Sequence, residues 1–189
     1  MANILDVFST HTGERLLRRS VAIANINKDK LHNAYIFALP MILATLKSKD
    51  SFLRIDAQDL MHFIDEGDIL TAGEKVNGNT YTQEQLEAIS KSCQILGLSN
   101  ENSVQVFNIS AGFLTVLIQE IQKRNTDIQY IDILKNLTGE ESNLEKIFIE
   151  VLVKNSDSPG FIDSAEEIAL KSKKDGNDDS ILGGYTGGR

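Results

Sequence analysis

The chain has 189 residues, 41% of them hydrophobic, no tryptophan, one cysteine and a formal net charge of −8. That length suits one domain with an aliphatic core plus a tail, and the lone Cys93 excludes an internal disulfide. Residues 1–50 carry seven Lys and Arg against four Asp and Glu, and the remainder twelve against twenty-three, so the chain overall repels phosphate backbones and disfavours general nucleic-acid binding.

The opening stretch MANILDVFSTHTGERLLRR lacks a basic region followed by an apolar one, and so does not read as a secretory signal. No run reaches the roughly 18 consecutive apolar residues of a membrane span. The expectation is a soluble, cytoplasmic protein with no membrane span. Asn3 caps a short apolar turn through Ile4, Leu5, Val7 and Phe8. Leu16, Leu17, Val21 and Ala24 then recur at helical spacing, with Arg15, Arg18 and Arg19 on the other side. Three arginines this close form a candidate interaction surface for a phosphate or carboxylate, although a solvated helix face is the simpler reading.

Asn27 caps the most apolar segment of the chain, LHNAYIFALPMILATLK at 31–47. Its apolar residues are too many for one stripe, which predicts a central helix wrapped by the others. Pro40 predicts a kink or break near Leu39. Asp56 is placed to cap a helix whose stripe is Ala57, Leu60, Met61 and Ile64. The next stretch, EGDILTAGEKVNGNTYT, reads as a loop, with turns at Gly67, Gly73 and Asn77-Gly78 and a short extended piece conceivable at 75–81.

Thr82 to Gln85 reads as a capping box. The helix after it carries Leu86, Ile89, Cys93 and Leu96 and ends at Gly97. Ser99 caps a longer helix in which Val104, Phe107, Ala111, Leu114, Leu117, Ile118 and Ile121 face inward. Ile128, Ile131, Leu134 and Leu137 suit a short helix. Thr138 and Glu141 form a second capping box before Leu144, Ile147, Phe148, Val151 and Leu152. Residues 1–155 form the helical domain, and 156–189 an acidic, glycine-rich flexible tail with room for one short helix at 163–172. With no sustained alternation, the fold class is all-α, a multi-helical orthogonal bundle.

Shifting residues 34–47 by 71 positions lays them on 105–118, matching Ile36 to Phe107, Ile42 to Phe113, Leu43 to Leu114 and Leu46 to Leu117. This fits either two related helical units, 13–66 and 82–137, or two unrelated buried helices that share a pattern.

Five features together resemble one family. They are the apolar helix containing Phe37-Ala38-Leu39-Pro40, the turn Gly67-Asp68-Ile69-Leu70, the short linker, a helix ending Leu96-Gly97-Leu98-Ser99, and the apolar helix from Val104 to Ile118. The family is the bacterial domain of unknown function 937, the YidB-like proteins. The resemblance covers about residues 4–125, and Ile181-Leu182-Gly183-Gly184 is similar to the family's glycine-rich termini. Ala111-Gly112 stands where family members often have a second proline. The resemblance implies an all-helical bacterial protein and no activity.

Catalytic and metal patterns are sparse. His11, His32 and His62 lack metal-ligand spacing, and Cys93 on an apolar face reads as a small core residue. The acids Asp56, Asp59, Asp65, Glu66 and Asp68 do not fit an EF-hand: with Gly78 in the sixth position, the first is Gly73, which has no ligating side chain. Asp175, Asn177 and Asp179 fail too, with Ser180 in the glycine position. There is no Walker loop, dinucleotide fingerprint or GxSxG, so no cofactor is implied. The favoured function is a non-enzymatic protein-interaction or regulatory module with an unknown protein partner. Two alternatives stand. One is a helix-turn-helix-like nucleic-acid binder, whose recognition helix would start SNENSVQVFN without Lys or Arg. The other is an enzyme of a type its motifs do not reveal.

Overall fold

Most helices of this chain start where a short polar side chain accepts a backbone amide, and the structure is built outward from those caps. The computed structural model describes residues 2–49, 53–94 and 96–153, which are all-α. The expected tail at 156–189, its helix at 163–172 and the side chain of Cys93 lie outside the described residues. A 3-10 turn at Ile4–Ser9 is closed by a reciprocal capping box between Asn3 and Asp6. Helix α1 (His11–Ala24) starts on Thr10, whose hydroxyl accepts from Gly13 N. Helix α2 (Lys28–Leu46) starts on Asn27, α3 (Leu60–Glu66) on Asp59 and α4 (Ile69–Thr80) on Asp68. The Thr82 capping box opens α5 (Gln83–Gln94): Gln85 N donates to Thr82 Oγ1 at 3.3 Å and Thr82 N to Gln85 Oε1 at 2.9 Å. Ser99 caps α6 (Asn100–Arg124), and α7 (Tyr130–Leu137) and α8 (Glu145–Val153) complete the order.

The central helix is α6, not α2. Residues 109–119 are buried without interruption, and α6 packs against each of α1–α5, α7 and α8. A helix apolar all round is stable only when enclosed in this way. At 25 residues α6 is also long and apolar enough to cross a membrane, yet 72% of its most apolar 18-residue window is buried inside the fold. Its first turns are less covered, and Val104, expected inward, is 45% exposed. Helix α2 instead buries one side (Leu31, Ala34, Tyr35, Ala38, Leu39, Ile42, Leu43 and Leu46) and exposes Ile36, Phe37, Pro40 and Ala44. Pro40 does not end the helix, which runs on to Leu46. The proline sits on the exposed side of the helix, as does Ile36, whose carbonyl it cannot pair. Of the echoed pairs, Ile42/Phe113, Leu43/Leu114 and Leu46/Leu117 are buried in both helices, whereas Ile36 is exposed and Phe107 is not.

The stretch read as a loop after Gly67 is helix α4. Ile69, Gly73, Val76 and Asn77 form its buried side, and Asp68 caps it. Gly73 is there because α4 lies against α6: a Cβ on it would stand 1.7 Å from Asn108 O. Gly112 answers from α6, where a Cβ would meet Ile69 O at 2.9 Å and Gly73 N at 3.4 Å. Two glycines facing each other let the helix backbones touch. Two further boundaries differ from expectation. Asp59 rather than Asp56 caps α3, and Thr138 donates to Lys135 O instead of boxing with Glu141.

Polar clamps join the pieces. Gln119 Nε2 donates to Ile55 O and Gln119 Oε1 accepts from Ile55 N, both at 2.8 Å, so the extended segment before α3 is tied to α6 as if by a strand. Thr12 Oγ1 donates to Leu152 O at 2.5 Å, and Ala2 N to Glu145 Oε1 at 2.8 Å, fastening α8 to the N-terminus. Lys47 pairs with Glu140 and links the end of α2 to the segment after α7.

Candidate functional site

The three arginines singled out in the sequence do gather on one shallow cavity. Arg15, Arg18 and Arg19 of α1 line it with His11, Ala22 and Asp65 of α3, in a volume of about 410 Å³. Their charges are largely engaged. Arg15 forms a forked pair with Asp65, with Nε donating to Oδ1 at 3.1 Å. Arg18 reaches Glu14 one turn back at 3.3 Å on an exposed face. The Arg19 Nε is buried without a hydrogen-bond partner. This surface joins α1 to α3 and holds a carboxylate already.

The acids of residues 56–68 disperse rather than converge. Asp59 accepts from His62 N at 2.8 Å and Asp68 from Thr71 N at 3.2 Å, both as caps. Hydrogen bonds from Thr71 hold the Asp68 carboxyl below its ordinary pKa. Glu66 lies 3.7 Å from His62 Nδ1. Among the described residues, no three His, Cys, Asp or Glu side chains group as metal ligands. The His32 ring stands edge-on to Phe8, with centroids 4.9 Å apart. Tyr35 is fully buried, hydrogen-bonded to Ser20, and burial pushes its phenol well above the ordinary value.

A second cavity, of about 780 Å³, lies where α5 leans over the crossing of α4 and α6. Leu86 and Ile89 of α5 and Val104 and Phe107 of α6 supply its apolar wall. Its polar lining is mostly uncharged: Asn77 on α4, Gln83, Ser90 and Gln94 on α5, and Asn100, Ser103 and Asn108 on α6. Glu74, Glu87 and Lys91 are its charged members. Ser90 Oγ donates to Asn100 Oδ1, and Ser103 Oγ donates back to Ser99 O at 2.7 Å, so these hydroxyls are spent. Asn77 is different. It is 2% exposed, its Nδ2 donates to Asn108 Oδ1 at 2.8 Å, and its own Oδ1 has no partner. A buried acceptor left unpaired costs on the order of 1–3 kcal/mol.

Motif reading missed this cavity because its residues sit in three helices and match no pattern. In sequence the Asn77-Gly78 pair reads as a turn. The signal that would have placed it is the stripe Ile69, Gly73, Val76, which puts Asn77 on the buried side of a helix. Comparison with known proteins adds nothing to either site: the chain matches no protein-family model, no curated protein and no solved structure.

Proposed function

We propose that this chain is a non-enzymatic protein-interaction or regulatory module, with the outer side of α2 as its contact surface. The observation that carries the reading is the exposure of Ile36 at 42% and Phe37 at 37%, next to Pro40 and Ala44, on a helix whose opposite side is locked in the core. Large apolar side chains held rigidly in water are what protein interfaces use as anchors. The individual engagement of Asp59, Asp65 and Asp68 in caps and an ion pair supports a binding role over an acid–base one. Likeness to the YidB-like helical proteins belongs to the same proposal and brings no activity with it.

The test is affinity capture from cell lysate with the tagged chain and two variants. A partner held by the wild type and by Arg18→Ala, and lost by Phe37→Asp with its helical circular dichroism intact, is the expected result. No partner, or one indifferent to Phe37, overturns the reading. Nucleic-acid binding is tested apart: the first turn of α6 carries Glu101 as its acidic residue, and no gel shift at low salt is expected.

A further inference from the structure

Two adjacent residues of α4, Asn77 and Gly78, border the larger cavity. Gly78 lies inside Ile69–Thr80, yet a Cβ there would meet nothing within 4 Å. Its φ is not positive, so no turn asks for glycine either. A glycine in a helix interior is unfavourable relative to alanine, and at Gly73, five residues earlier, the reason is contact with α6. Gly78 is exposed and stands on the rim of the cavity, among its lining residues. The neighbouring Asn77 holds the unpaired acceptor. Between Asn77 and Asn108 one hydrogen bond is made where two carboxamides facing each other can make two. One acceptor is left on Asn77 and an amino donor on Asn108. Both residues are among those that line the cavity.

We propose that the cavity between α4, α5 and α6 binds an uncharged small molecule that joins an amide-type donor–acceptor edge to an apolar body. The amide edge pairs with Asn77 and Asn108, and the apolar body lies on Leu86, Val104 and Phe107. The volume of about 780 Å³ falls within the range of small-molecule sites. Carboxylates outnumber cations on the lining, Glu74 and Glu87 against Lys91, which selects against anions.

The probe is N-acetyl-leucinamide, neutral and carrying both parts, with N-acetyl-leucine as its anionic counterpart. Both are titrated to millimolar concentration into ¹⁵N-labelled full chain and followed by NMR. The neutral probe is expected to move the Asn77 and Asn108 side-chain amide signals and the Gly78 backbone signal, and the anion to do so far more weakly. Gly78→Phe, which adds a ring at the cavity's rim without touching the packed side of α4, abolishes these shifts. Val104→Trp, at a position already 45% exposed, is the second blocking variant should the first not fold. Arg18→Ala leaves them intact. Absence of saturable shifts at Asn77 and Asn108, equal response to the anion, or shifts that survive both blocking variants overturns the proposal.

Discussion

Alanine has opposite effects at two glycines five positions apart in α4. At Gly73 the new methyl collides with the Asn108 backbone at 1.7 Å, which only separation of α4 from α6 relieves. Gly73→Ala is expected to destabilise by about 1–3 kcal/mol in urea unfolding. At Gly78 the methyl enters open space, and Gly78→Ala is expected to stabilise by about 0.5–1 kcal/mol. The same sign at both positions would mean α4 does not lie on α6 as described. Asp68 offers a pH test on the same helix. Thr71 favours its charged form, so its folded pKa is depressed. The stability it adds is therefore present above the unfolded value and is lost as pH falls through the folded one. Asp68→Ala costs about 1 kcal/mol at neutral pH, and thermal unfolding should show that gap narrowing on acidification below the carboxylate range.

At the scale of elements, hydrophobicity and centrality separate. Helix α2 is rich in apolar residues but has one core side, whereas α6 is enclosed on all sides across residues 109–119. Its outward Ile36 and Phe37 explain the discrepancy: they add to the apolar count without adding to the core. The inward side of α2 remains essential. Leu43 is completely buried, and Leu43→Ala is expected to cost on the order of 2–5 kcal/mol by denaturant titration. A loss under about 1 kcal/mol would remove α2 from the core.

The described fold is held as one unit by α6, which every other α-helix among the described residues touches. Elements that depend on a single hub exchange their amides no more slowly than the hub does. Native-state hydrogen exchange should therefore find the slowest amides in residues 109–121 of α6. The ends of the described fold are fastened by few bonds, Ala2 to Glu145 and Thr12 to Leu152. Helix α8 should open before α6, so protection in α8 equal to that in α6 would contradict this hierarchy.

The sequence alone determined the all-α class and the caps at Asn3, Asn27, Thr82 and Ser99, because capping and helical periodicity are decided within a few residues. It also placed the starts of α5 and α6 and the turn before α6, where Gly97 takes a φ of 75°, although α5 stops at Gln94 rather than running on to Leu96. Local chemistry misled where a residue answers to a distant partner. Gly73 reads as a breaker until Asn108 O is found against it. Which apolar helix becomes the centre, which side of α2 meets water, and that Asn77, Gly78 and Asn108 border one cavity were decided only by tertiary packing. Burial and proximity belong to the assembled helices, and no window of sequence contains all three of α4, α5 and α6.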